Sequence, residues 1–133
     1  MKKEIAKLWV DALRSRKYTQ AKHVLHNDDN GFCCLGVLCD LAIKTGAVSI
    51  SPVIEEENYD GEVVHYDSYH YDGESEELPS VVQEWAGIKT GLGTYRREDK
   101  EFSEKEETLA QDNDRGMTFD EIADIIESNV ENL

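Results

Sequence analysis

Long apolar runs are missing from this sequence, and so is positive charge across its middle. No apolar stretch approaches the roughly 18 residues that a membrane-spanning helix needs. The amino-terminal segment MKKEIAKLWVDALRSRK mixes charged and apolar residues and lacks the continuous apolar centre of a secretory signal. We therefore expect an unexported, cytoplasmic protein that does not engage a membrane.

Cysteine is confined to one short stretch, GFCCLGVLCDL, which holds Cys33, Cys34 and Cys39. An odd number of cysteines in a chain without a signal peptide argues against a disulfide framework, because the cytosol keeps thiols reduced. Three free thiols can ligate a metal, act as a nucleophile or pack as small apolar groups. The stretch therefore poses the first functional question.

Basic residues are absent between Lys44 and Lys89, whereas residues 1–26 carry seven of them against two acidic ones. The formal net charge is −15. Such a chain repels nucleic acid and anionic membranes and attracts basic proteins or cations, although acidity for solubility alone is the other interpretation. Within the stretch from Lys44 to Lys89, acidic residues accumulate over 55–77: Glu55, Glu56, Glu57, Asp60, Glu62, Asp67, Asp72, Glu74, Glu76 and Glu77.

Helical periodicity and end signals predict four helices. Apolar residues from Ile5 to Leu13 recur on one helical face, so residues 3–15 form an amphipathic helix. A second helix follows the NDDNG turn and ends near Thr45, and a third begins at Leu78-Pro79 and is closed by Gly87. The fourth begins at a capping box in which Thr118 and Glu121 satisfy each other's backbone amides.

The remaining segments predict a small amount of strand. A short strand is expected before the NDDNG turn, and the alternating piece VVHYDSYHYDG indicates one or two strands within the acidic segment 49–77. Residues 89–107 are polar and contain glycine, so we expect a surface loop there. The fold class is α+β: about four helices on a short, mainly antiparallel sheet, in a single small domain spanning 1–133. The expected core is Trp9, Leu13, Leu38, Leu41, Val82, Trp85, Ile122 and Ile126.

Four blocks together resemble a family of small uncharacterised proteins encoded by bacteriophages and prophages: KLWVDALRSRKYTQAK, GFCCLGVLCDLA, LPSVVQEWAGI and LAQDNDRGMTFDEIADIIE. The motifs FCCLGVLCDLA and ND-x-G-x-TF-x-EIA-x-IIE carry the resemblance. It does not extend over the acidic segment 49–77 or the segment 89–107. The resemblance implies a phage accessory gene acting in a bacterial cytoplasm, with no biochemical activity to transfer.

Metal binding has little support in the spacing. His23, His26 and the three cysteines lie within seventeen residues, but Cys33 and Cys34 are adjacent, unlike the separated pair of a zinc knuckle. A second group divides across a strand, with His65 and Asp67 on one face and His70 and Asp72 on the other. We expect neither a metal site nor a cofactor.

A thiol hydrolase is the enzymatic hypothesis. A cysteine at a helix amino terminus has its pKa lowered by the helix dipole, and a histidine on a later strand can act as its base. Cys33 followed by His65 or His70 has that order. Because cysteine is also one of the most buried residue types, core packing is the competing explanation, and we expect it for Cys34 and Cys39.

A basic pocket is the small-ligand hypothesis. Near the end of the first helix the sequence places two basic side chains, an aromatic ring that can stack on a base, and an amide: Arg14, Lys22, Tyr18 and Gln20. This set suits a phosphate-bearing nucleotide. The alternative is a solvated cationic helix end, which the helix dipole favours. No phosphate-binding glycine motif follows a strand.

These observations lead to an ordered set of functional expectations. The first is a non-enzymatic phage accessory protein that binds and inhibits a host component, plausibly in counter-defence. The second is sequestration of a nucleotide signal, and the third is cysteine-dependent hydrolysis. The expected partner is accordingly a host protein or a small nucleotide, without direct nucleic-acid binding.

Overall fold

The computed structural model describes residues 1–98 and 104–133, and it describes all of their side chains except those of 55–59, 63–67, 98 and 104. Five helices lie in these ranges. Four coincide with the predicted ones, and the additional one directly precedes the last. Their bounds are α1 Lys3–Arg14, α2 Cys34–Lys44, α3 Ser80–Ala86, α4 Leu109–Asp114 and α5 Phe119–Ser128.

The strands of the described ranges form three separate pairs instead of one sheet. The pair β1–β2 is parallel, whereas β3–β4 and β5–β6 are antiparallel hairpins. The α+β class and the mainly antiparallel pairing are therefore confirmed. The strand bounds are β1 Thr19–Gln20, β2 Gly31–Phe32, β3 Val53–Tyr59, β4 Glu62–His70, β5 Thr94–Glu98 and β6 Glu104–Thr108.

The prediction of a polar surface loop over 89–107 holds for residues 89–93 but was wrong for 94–98 and 104–107, because β5 and β6 pair there in register from Thr94↔Thr108 to Glu98↔Glu104. Tyr95 is buried, and its hydroxyl donates a hydrogen bond to buried Asp112 in α4. This anchor compensates for the scarcity of apolar residues in the hairpin. Residues 99–103 of the predicted loop lie outside the description.

The core is built where α1 packs on α5 and α2, and where α2 packs on α3 and α4. Six of the eight predicted core residues are buried, while Leu41 and Trp85 are half-buried at its margin. The Trp9 indole nitrogen donates to the Cys34 carbonyl at 2.9 Å and so ties α1 to the start of α2. None of the described helices has the length and apolar character required to cross a membrane.

Two residues of the quoted motifs hold α2 in place. A Cβ on Gly36 would lie 1.7 Å from the Leu25 carbonyl oxygen, so only glycine permits this backbone approach. The buried Asn113 side chain accepts from the Cys34 amide at 3.2 Å and donates to the Ala21 carbonyl at 2.8 Å. The motifs GFCCLG and DND therefore meet in one structural junction.

Candidate functional site

An open groove of about 830 Å³ lies between the segment after α2, the adjoining ends of β3 and β4, and α3. The cross-strand neighbours Val53 and His70 close one side of the groove. Val81 and Trp85 of α3 form the other side. Residues 47–51 complete the lining of this α3 groove.

The α3 groove is lined by exposed apolar side chains. Val53 and Val81 are the exposed large hydrophobic residues among the described side chains, at 50% and 38% exposure, and both line it. Trp85 beside them is half-buried. The charged residues that line the groove are Lys2, Asp72 and Glu84. An apolar centre with charged groups around it is the usual composition of a protein-binding surface.

Local sequence explains how α3 presents this surface. Pro79 precedes the first turn, and Gly87 ends the helix with a left-handed backbone at φ 68°. Within the helix Val82 is fully buried, and Val81 lies about 100° around the axis from it. Val81 is 38% exposed and lines the groove, whereas Val82 packs in the core.

A family model matches residues 1–130 and carries the description "Domain of unknown function (DUF8296)". This chain belongs to the DUF8296 family. No curated protein matches it, and no solved structure does.

Three of the four residues of the predicted basic pocket already have partners within the DUF8296 chain. Arg14 binds Asp124 at 2.6 Å and also Glu127, which joins α1 to α5. The Tyr18 hydroxyl donates to Asp40. Gln20 donates to the Asn113 side chain at 2.9 Å and to the Met117 carbonyl at 2.8 Å, whereas Lys22 is exposed. All four predicted residues lie outside the lining of the α3 groove.

Arginines near the end of α1 also engage the acidic stripe of α5, which is formed by Asp120, Asp124 and Glu127. Asp124 and Glu127 accept from Arg14, and Asp120 accepts from Arg16 at 2.6 Å. These side chains remain at least partly exposed. The acidic stripe of α5 is thus used in part to hold α1, and less of it is available to a partner.

The three thiols are core groups. Cys33 is 5% exposed, Cys34 and Cys39 are fully buried, and all three are free. Burial raises the pKa of the Cys33 thiol to about 11 and raises those of Cys34 and Cys39 as well. The expected lowering of the pKa of Cys33 by the helix dipole was wrong, because loss of solvation outweighs it. Core packing of Cys34 and Cys39 is confirmed.

The histidines proposed as bases lie on β4. His70 ends the strand and lines the groove. His65 is paired with Glu56 in the strand register, and its side chain lies outside the description. His26 is stacked between Phe32 and Tyr69, with ring centroids 4.0 and 4.3 Å away, and it is therefore held as part of the packing. Within the described residues, no three metal-ligating side chains cluster.

A second cleft, of about 540 Å³, lies between β5 and α5 and was not anticipated because its hairpin was not predicted. Arg96 and Arg97 line it together with Ile125. The groove on α3 was missed for a different reason. Trp85 was expected in the core, and the groove depends on where α3 lies relative to the segment after α2 and the ends of β3 and β4, which the sequence pattern does not show.

Proposed function

We propose that this protein is a non-enzymatic accessory protein of a bacteriophage or prophage that binds and inhibits a host component, plausibly in counter-defence, and that the α3 groove is its contact surface. One observation carries the choice of surface: Val53 and Val81, the exposed large hydrophobics of the described residues, lie together beside Trp85. Tryptophan is enriched among the residues that dominate binding energy at protein interfaces. The phage origin is supported by the resemblance of the four sequence blocks.

Charge favours a basic partner protein. The net charge is −15, and the chain from residue 45 to residue 88 contains no lysine or arginine. Long-range attraction to such a surface accelerates association with a cationic protein and opposes association with nucleic acid. The groove then supplies the apolar contact on which affinity depends.

The two alternatives have weaker support. Nucleotide sequestration by Arg14 would require that side chain to exchange Asp124 and Glu127 for a phosphate, and Tyr18 and Gln20 are similarly engaged. Thiol hydrolysis is opposed by burial, since a substrate cannot reach Cys33 and its thiol is protonated at neutral pH.

The test is capture of a host protein by the tagged chain in a phage-sensitive bacterium, followed by native mass spectrometry. Val81→Lys removes an apolar contact and adds a repelling charge in the groove. Ser80→Lys is the matched control, because it adds the same charge one residue earlier on α3 and Ser80 is exposed outside the groove lining. We expect Val81→Lys to reduce capture about tenfold or more and Ser80→Lys to leave it unchanged.

The opposite results are equally specific. Equal capture by both variants would remove the groove from the proposal. A retained small molecule in place of a host protein would favour nucleotide sequestration and contradict the inhibitor function.

A further inference from the structure

Strand β3 is an open edge of its hairpin. One side of β3 pairs with β4, and no other strand of the described ranges pairs with its second side. The far side of β4 is partly covered, because the Tyr69 amide donates to the His26 carbonyl at 2.8 Å and Ser68 bridges Asn27. An unpaired edge offers backbone N–H and C=O groups to any extended chain. A further strand can therefore be added at β3.

The composition of this edge disfavours pairing with a second copy. Glu55, Glu56 and Glu57 are consecutive within β3. Charge on an edge strand protects against self-association, because two copies bring the same charges together. The same charge attracts a strand that carries lysine or arginine. The edge therefore selects for a basic partner.

The first residue of the β3 edge strand lies at the α3 groove. Val53 is the first residue of β3, and it lines the groove together with Val81 and Trp85. A strand added to β3 would lie about 4.8 Å from it. A side chain of that strand beside Val53 would thus be within reach of the apolar groove.

We propose that β3 accepts an extended, basic segment of a partner protein as a third strand, with one apolar side chain of that segment in the groove. The inference rests on the proposed function, since it specifies which kind of host segment is bound. In this mode of recognition, backbone hydrogen bonds provide affinity and side-chain pockets provide selectivity. Nucleic acid does not fit, because its phosphates meet the same glutamates.

The first experiment uses the full chain and a labelled synthetic peptide of alternating lysine and valine, seven residues long like β3. Two companion peptides carry glutamate in place of lysine, or methyl groups on all peptide nitrogens of the lysine–valine sequence. Fluorescence anisotropy should give binding of the lysine–valine peptide. We expect at least about tenfold weaker binding for the methylated peptide, which keeps the charge but cannot donate backbone hydrogen bonds, and none for the glutamate peptide.

Hydrogen–deuterium exchange locates the contact. With the lysine–valine peptide bound, the amides of Val53–Tyr59 that face away from β4 should exchange more slowly. Protection confined to α3 or to the segment 47–51 would indicate a groove ligand without strand addition and would overturn the proposal.

Charge reversal provides the matched variants. Glu56→Lys/Glu57→Lys alters the edge strand, whereas Glu74→Lys/Glu76→Lys makes the same change of net charge outside β3 at two exposed positions. We expect Glu56→Lys/Glu57→Lys to lose binding of the lysine–valine peptide, and we expect Glu74→Lys/Glu76→Lys to bind it with at least about tenfold higher affinity than that variant. Equal loss in both would mean general electrostatic attraction and would contradict an edge-specific site.

Failure of this inference is distinguishable from failure of the proposed function. If Val81→Lys abolishes capture of a host protein while methylation of the peptide has no effect, the groove binds its host component without strand addition. If the peptide protects Val53–Tyr59 while Val81→Lys leaves host capture intact, strand addition stands and the groove is not the inhibitory surface.

Discussion

At the scale of single residues, the quoted motifs are explained by packing. Cys34 and Cys39 fill the core, Gly36 permits the approach of the Leu25 carbonyl, and Asn113 connects the start of α2 to α4. A cysteine-rich motif without disulfides invites a catalytic or metal-binding interpretation. In this protein the thiols are buried and their pKa values are raised, which indicates a structural role for the cysteines.

The buried thiols predict a loss of stability at alkaline pH. In the unfolded chain, thiols ionise near their ordinary pKa of about 8.5. In the folded chain, burial raises the pKa of the Cys33 thiol to about 11. Between these two pKa values the unfolded chain therefore releases protons that the folded chain retains. The free energy of unfolding should therefore be fully retained below about pH 8.5 and fall above it, by at most about 1.4 kcal/mol per pH unit for each thiol.

Urea unfolding from neutral pH to about pH 10 checks this, because the range ends where Tyr71 and Tyr95, whose pKa values are raised in the folded protein, begin to ionise in the unfolded chain at their ordinary pKa of about 10. Cys39→Ala is the control: it should be less stable at every pH and show a shallower fall. A free energy of unfolding that stays constant to about pH 10 would contradict the assignment of the thiols to the core.

At the scale of elements, local signals and tertiary anchors determine different parts of the chain. The capping box of α5 is formed as predicted, with the Thr118 hydroxyl accepting from the Glu121 amide at 3.2 Å and Glu121 accepting from the Thr118 amide at 3.2 Å. The β5–β6 hairpin has no comparable local signal and depends on Tyr95 and Asp112. A helix cap can therefore be predicted from the sequence, whereas a long-range hydrogen bond such as that between Tyr95 and Asp112 cannot.

The cap predicts a specific mutational cost. Thr118→Ala should lower the free energy of unfolding by about 1 kcal/mol, because the Glu121 amide at the start of α5 loses its partner. Thr118→Ser keeps the hydroxyl and should cost much less. Denaturant unfolding of both variants gives the comparison, and equal losses would show that the methyl group of Thr118, and not its hydroxyl, stabilises the helix.

At the scale of the whole molecule, excess negative charge is the dominant feature. The formal net charge is −15, and the described ion pairs of Arg14, at the end of α1, and of Arg16, just after it, connect to α5 but are largely exposed. Exposed pairs contribute little to stability, whereas unbalanced charge on a small domain repels itself. Repulsion should therefore outweigh these attractions.

Salt is expected to stabilise the protein for this reason. Raising sodium chloride from low concentration to about 0.5 M shortens the screening length to a few ångströms and should raise Tm by about 2–5 °C. Differential scanning calorimetry at several salt concentrations measures the effect. A fall in Tm would mean that attractive pairs such as Arg14 with Asp124 outweigh the repulsion.

The amino-acid sequence by itself determined the α+β class, four of the helices and six of the eight core positions predicted from it, because helix ends and helical periodicity depend on neighbours within a few residues. Gly87 and the Thr118–Glu121 box are examples. Tertiary structure alone decided the polar β5–β6 hairpin, the engagement of Arg14 by α5 and the α3 groove, because each depends on residues far apart in the chain. The groove is the clearest case: Val53 and Val81 are ordinary in sequence, and only folding leaves both of them exposed beside Trp85.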